Sequence, residues 1–153
     1  MLENSFIDVY TKFKLQFYSV IFQRFEKKEQ ALSALEIFCI EVIQALKHPT
    51  VREFAEFAKI SAPNATYKIN NLIKKGYIQK VQNKEDKRQY YLSVTEKYAD
   101  YHIVTYDYIK VVMNRIKEHF PKEDVNKLDS ILATISAELM NEVQVKNIPP
   151  FLN

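Results

Sequence analysis

The chain has 153 residues, 22 Lys+Arg against 19 Asp+Glu, one glycine, one cysteine, five prolines, ten tyrosines and ten phenylalanines. That length suits one compact domain, or a core domain with extra interface helices. The composition excludes an intrachain disulfide scaffold, the usual glycine-rich phosphate loops and, lacking a run of about 18 apolar residues, a membrane-spanning helix.

So few turn formers predict few turns and long helices. Glu3 to about Lys28 reads as the first: Phe6, Tyr10, Phe13, Phe17 and Ile21 recur at helical spacing, and Val9, Val20 and Phe25 widen the stripe. Such a stripe must pack against something. Ser33 opens a second helix, with Glu36 at the capping-box spacing. Leu35, Phe38, Cys39, Val42, Ile43 and Leu46 are its expected buried face. It stops before Pro49, which disfavours helix at His48. Thr50, with Glu53 three residues on, caps a third helix whose inner side is Val51, Phe54, Ala55 and Ala58. Ala55 is small where two helices cross closely, and Lys59 to Ala62 is the turn between them.

Ser61 then caps a short helix with Pro63 in its first turn, where a missing N–H costs little. Ile69, Leu72 and Ile73 form its apolar edge. Lys74 and Lys75 sit where the helix dipole favours cations, and Gly76 supplies a left-handed cap. Tyr77 to Val81 and Gln89 to Thr95 read as the arms of a hairpin. In the second arm Tyr90, Leu92 and Val94 face one way; Gln89, Tyr91 and Ser93 face the other. The polar loop Gln82 to Arg88 carries Lys84, Lys87 and Arg88. From Lys59 to Arg88 there are eight basic residues against two acidic, so the remainder of the chain is net negative. A capped helix followed by a basic-tipped hairpin is how a winged helix-turn-helix meets duplex DNA. Beyond it, Tyr98, Tyr101, Thr105, Ile109, Val112, Ile116 and Phe120 mark a helix from Glu96 to Phe120, broken by Pro121. Val125, Leu128, Leu132, Ile135, Leu139 and Val143 mark a last helix from Lys122 to about Lys146, which Pro149-Pro150 cannot extend. Apolar stripes this long, joined to a basic reading head, suggest a symmetric dimer.

The run Leu72-Ile73-Lys74-Lys75-Gly76-Tyr77-Ile78, then Asp86-Lys87-Arg88, then Leu92-Ser93-Val94-Thr95, resembles the MarR family of bacterial transcriptional regulators. With the flanking helices the resemblance covers most of the chain. It implies a mainly α fold with a small β-hairpin wing: a winged helix-turn-helix over residues 31–95 plus a helical dimerisation region over 1–30 and 96–148. It implies a homodimeric regulator, a repressor relieved by a ligand, that binds palindromic operators. Ser61, Pro63, Asn64, Thr66, Tyr67 and Lys68 are the expected DNA-facing positions of the recognition helix, with Asn64 and Tyr67 at base-edge positions. Lys84, Lys87 and Arg88 are those of the wing. Asp86 and Arg88, two apart, would point the same way in an extended arm, and Asp86 would fix the tip by accepting from Arg88 or from loop amides. The family often has arginine where Lys87 stands; a lysine offers a point charge without the planar fork.

Cys39 reads as a small buried hydrophobe rather than a redox switch. His48, His102 and His119 are scattered, and no His/Cys/Asp/Glu cluster has metal-ligand spacing. The aromatic residues serve either as plain core or as the lining of a pocket for a small aromatic or acyl effector, which the resemblance puts between the reading head and the dimer helices. No nucleophile elbow, P-loop or dinucleotide fingerprint is present, so neither enzymatic activity nor a cofactor is expected. The N-terminus has no signal-peptide pattern, and a cytoplasmic protein without membrane attachment is expected. The alternative is a winged-helix module for protein–protein contacts with little specific DNA binding.

Overall fold

The computed structural model describes residues 1–25 and 32–143, without the side chains of 24, 25, 104 and 105. The side chains of Phe25 and Thr105 of the expected stripes, the expected helix ends near Lys28 and Lys146, and Pro149-Pro150 lie outside what is described. In chain order the elements are α1 (Leu2–Phe25), α2 (Ala34–Ala45), α3 (Val51–Ala58), α4 (Ala62–Lys74), β1 (Ile78–Gln82), β2 (Tyr90–Val94), a 3-10 turn (Glu96–Tyr98), α5 (Ala99–His119) and α6 (Lys122–Thr134), which runs on into a π turn (Ile135–Leu139). The fold is mainly α with one antiparallel hairpin, a winged helix-turn-helix with added helices.

Two units divide the described chain: residues 1–24 with 101–143, and residues 32–100. The second is built by local capping chemistry. Ser33 and Thr50 each close a full capping box, the hydroxyl accepting from the N3 amide and the Glu36 or Glu53 carboxylate accepting from the cap amide at 2.8 Å. Under these helices lies one core: Ile37, Ile40 and Ile43 of α2, Phe54 and Ala55 of α3, Ala65, Ile69 and Leu72 of α4, with Ile78, Leu92 and Tyr98 from the hairpin and the turn after it. Removing this much apolar side chain from water is the main force holding the head together.

The buried arc of α2 differs from the expected one. Cys39, Val42 and Ile43 are buried as expected, Leu46 is half-buried, and Leu35 and Phe38 are exposed at 55% and 49%; Ile37 and Ile40 take their places in the core. The helix is apolar nearly all round, so periodicity in the sequence defines no unique inner face.

In the other unit the stripes are present but incompletely covered. Phe6, Val9 and Tyr10 of α1 are exposed, whereas Phe13, Phe17, Val20 and Ile21 are half-buried. Phe13 meets Tyr108 of α5 edge-to-face, ring centroids 5.6 Å apart. On α5, Tyr101 is buried, Ile109, Val112 and Ile116 are half-buried and Phe120 is exposed. No residue of α6 is buried, and Leu128, Leu132 and Leu139 are all exposed. The last helix is shorter than expected. Its widened π turn ends at Leu139, Met140 leaves helical geometry, and Asn141 Nδ2 donates to the Glu138 carbonyl at 3.0 Å.

Candidate nucleic-acid interface

The recognition helix is held at both ends. At its start, Lys59 takes a left-handed conformation (φ 54) and the Ile60 amide bonds the Ala55 carbonyl, closing α3 and turning the chain. Ser61 Oγ then accepts from the Asn64 amide, with Pro63 in the first turn. At its end, Gly76 (φ 82) donates to the Ile73 carbonyl and Tyr77 to the Leu72 carbonyl, the two bonds of a Schellman cap.

Three side chains distant in sequence reinforce that end. Thr95 Oγ1 donates to the Gly76 carbonyl at 2.6 Å, and Lys97 Nζ donates to the Lys75 carbonyl at 2.6 Å while lying 4.8 Å from the centre of the Tyr77 ring. Lys75 Nζ reaches Glu36 at the start of α2 at 2.7 Å. Burial raises the Glu36 carboxyl, but the hydrogen bonds from Lys75 and from the Ser33 amide and the Lys75 charge together outweigh it, so it stays below its ordinary value. One carboxylate thus caps α2 and ties it to the end of α4.

Between these anchors α4 turns Ala65, Ile69 and Leu72 into the core, which leaves Ser61, Pro63, Asn64, Thr66 and Tyr67 exposed. Tyr67 is 67% exposed, an aromatic residue on the outward face of the helix. Lys68, expected on the same outward face, is half-buried. Its charge pulls the Cys39 thiol down, but burial pushes that thiol up more, so Cys39 sits above its ordinary value. Cys39 is 3% exposed, a buried thiol held in its protonated form.

The hairpin pairs Ile78 with Val94 and Gln82 with Tyr90. It is anchored only at its base: Ile78 and Leu92 are buried, the rest of β1 is exposed, and the Leu92 amide donates to the Pro49 carbonyl at 2.8 Å. The tip is a turn rather than an extended arm. Asp86 Oδ1 accepts from the Arg88 amide at 3.0 Å and from Arg88 Nε at 3.3 Å, and the Gln89 amide donates to the Asp86 carbonyl. An Asx turn therefore puts Asp86 and Arg88 together where strand alternation was expected to. Lys84, Lys87 and Arg88 are all exposed.

Several residues that organise the wing escaped the sequence reading. Gln82 Nε2 donates to the Lys87 carbonyl at 2.7 Å, and Asn83 takes the Glu85 amide on Oδ1 while its Nδ2 donates to the Tyr91 hydroxyl at 2.9 Å. The only signal in the sequence was the Gln and Asn content of the loop, which is common to most loops.

Residues 32–90 match the MarR family model. No curated protein matches the chain. Solved structures match along nearly its whole length. FabT of Streptococcus pneumoniae, solved in complex with DNA, is 22% identical with a TM-score of 0.61, over 90% of this chain and 95% of that one. A MarR family protein from Bacillus stearothermophilus is 14% identical with a TM-score of 0.66, over 90% and 92%. The adhesin competence repressor AdcR of Streptococcus pyogenes is 19% identical with a TM-score of 0.55, over 91% and 98%. At these identities the structures speak for the fold. The family match runs from Leu32, just before the capped α2, to Tyr90 at the start of β2, so it is in its winged helix-turn-helix that the chain is similar to the MarR family.

Proposed function

We propose that the protein is a homodimeric transcriptional regulator that binds palindromic duplex sites sequence-specifically, as a repressor released by a small ligand. The observation that carries this is the exposed, uncharged polar face of α4 on the same unit as a wing whose tip presents Lys84, Lys87 and Arg88 to solvent. Polar side chains on a helix suit base edges in the major groove, and cations on a hairpin suit phosphates. Asn64 and Tyr67 read bases. Ser61, Pro63, Thr66 and Lys68 line the approach, and Lys84, Lys87 and Arg88 contact the backbone. Asp86 holds the wing tip in shape. FabT, similar in fold, has been solved with DNA, and AdcR is named a repressor, which fits this reading. The protein acts in the cytoplasm, without catalytic chemistry of its own.

Residues 31–95 serve as the reading head, and 1–30 with 96–148 as the dimerisation region. The uncovered apolar residues of α1 and α6 support that division, since a monomer would leave them in water. The effector is a small aromatic or acyl compound. Selection of bound sites from random duplexes, followed by titration over a range of salt, tests the reading. A palindrome preferred at least about a thousandfold over random DNA is expected, with affinity falling steeply as salt rises. Binding without preference refutes it. Asp at both Leu132 and Leu139 is expected to yield monomers in sedimentation and to abolish binding to the selected site; a monomeric wild type at micromolar concentration refutes the dimer.

A further inference from the structure

Three independent features meet at the base of the wing, away from α4 and the wing tip. The first is a groove of about 200 Å³ between the end of α2 and β2, lined by Ile43, Gln44, Lys47 and His48 on one side and Leu92, Ser93 and Val94 on the other. It lies wholly within the 32–100 unit. The second is Gln44, whose Oε1 is buried and accepts no hydrogen bond among the described residues. A buried amide oxygen left without a donor is costly, and native proteins seldom retain one without a use. The third is the backbone: Lys47 and His48 are consecutive non-glycine residues with positive φ (49 and 55). Two adjacent side chains held in a conformation that L residues avoid are a local strain of the kind that accumulates at ligand-binding positions.

The groove's chemistry is amphipathic. Ile43, Leu92 and Val94 supply apolar wall, Lys47 supplies a solvent-facing cation at the rim, and Gln44 supplies an acceptor. The hairpin register adds a donor. The Thr95 amide donates to the Tyr77 carbonyl and the Asn83 amide to the Gln89 carbonyl, so the odd-numbered pairs carry the cross-strand bonds and the alternate residues Leu92 and Val94 turn their amides to the other edge; Leu92 uses its own on Pro49, and Val94 is the next along that edge. A cavity of about 150 Å³ holds a six-carbon ring, so this groove, open to solvent, accommodates a molecule of roughly eight or nine heavy atoms.

We propose that the groove is a binding site for a small aliphatic carboxylate that carries a hydroxyl beside the acid. The carboxylate takes the Lys47 ammonium and the Val94 amide, the hydroxyl donates to Gln44 Oε1, and the aliphatic tail lies against Ile43 and Leu92. The ligand would bridge the strained turn before α3 to β2, the strand whose anchorage on Pro49 fixes the wing. The site needs neither DNA nor a second copy of the chain, so it stands or falls separately from the regulatory reading.

The test is an amide NMR titration of the full chain with 2-hydroxyisocaproate, using isocaproate, which lacks the hydroxyl, as its comparison. Saturable shifts centred on Gln44, Ser93 and Val94 are expected, with the hydroxy acid bound about fivefold tighter, as one net hydrogen bond implies. Gln44→Leu should bring the two acids to equal affinity. Lys47→Met, at an exposed rim position that leaves the core untouched, should weaken both alike. Non-saturating shifts, shifts centred on α1, α5 or α6, equal binding of the two acids to the wild type, or a hydroxyl preference that survives Gln44→Leu would each overturn the proposal. The wild-type comparison and Lys47→Met decide the matter even where Gln44→Leu does not fold.

Discussion

The wing tip offers a clean separation of charge from shape. Asp86 makes two interactions through one oxygen: it accepts the Arg88 amide at 3.0 Å and the Arg88 Nε at 3.3 Å. The Arg88 side chain is 92% exposed, so the ion pair itself adds little. The amide bond, which closes the turn, is worth about 1 kcal/mol. Asp86→Ala removes both interactions and also a negative charge beside the DNA. Asp86→Asn removes the same charge but keeps an oxygen that can hold the turn. The difference between the two variants therefore isolates the turn. Asp86→Ala should bind the selected duplex about fivefold more weakly than Asp86→Asn, the equivalent of about 1 kcal/mol lost from the closed tip. Fluorescence anisotropy across a salt series reads both affinity and slope. The two variants should share one slope, because neither loses a phosphate contact. Equal affinities of the two variants, both differing from the wild type, would refute the assignment of Asp86 to shape and place it among the charges that act on DNA directly; a slope that differs by about one between them would refute the premise that the turn carries no phosphate contact.

Other outcomes follow from the anchors of α4 and from its exposed face. The Glu36 carboxyl is held below its ordinary value in the folded protein, so its contribution is present above the unfolded value near about pH 4.3 and is lost as pH falls through the lower folded value. Glu36→Gln should accordingly lower thermal stability at neutral pH, by less than about 1 kcal/mol because solvent screens the pair, and the gap to the wild type should close as pH falls through the lowered folded value; a gap that persists once the carboxyl is protonated would mean packing, not charge. Gly76→Ala should cost about 1–2 kcal/mol in denaturant unfolding, from backbone strain at φ 82, since the added methyl meets Lys97 Cδ and Nζ at ordinary contact distance; Gly76→Asn should cost less, and a neutral Gly76→Ala would show that the cap relaxes freely. Asn64→Ala should weaken binding to the preferred duplex by about 1–3 kcal/mol and relax specificity at one position, as judged by repeating the site selection; equal weakening on all sequences would reassign Asn64 to a phosphate.

What the sequence determined by itself is the local chemistry. Ser33, Thr50 and Ser61 cap their helices, and Gly76 ends α4, because each acts on backbone groups only a few residues away. The same locality makes the hairpin legible and gathers the basic residues of its tip, so the capped helix and the wing are legible in the sequence alone. The tertiary structure decided everything that joins distant residues. Helix α2 is apolar on nearly every side, and only packing against α3, α4 and β2 chose Ile37 and Ile40 for the core over Leu35 and Phe38. Lys97 reaches back 22 residues to Lys75, and Lys75 reaches 39 to Glu36; the Pro49 carbonyl waits for a strand residue more than forty positions on. The wing tip chose an Asx turn where alternation suggested an arm, because a side-chain oxygen can satisfy an amide two residues ahead that a strand would leave unpaired. The groove beside Gln44 belongs to this second class: its walls come from one helix end and one strand, and no spacing in the sequence brings them together.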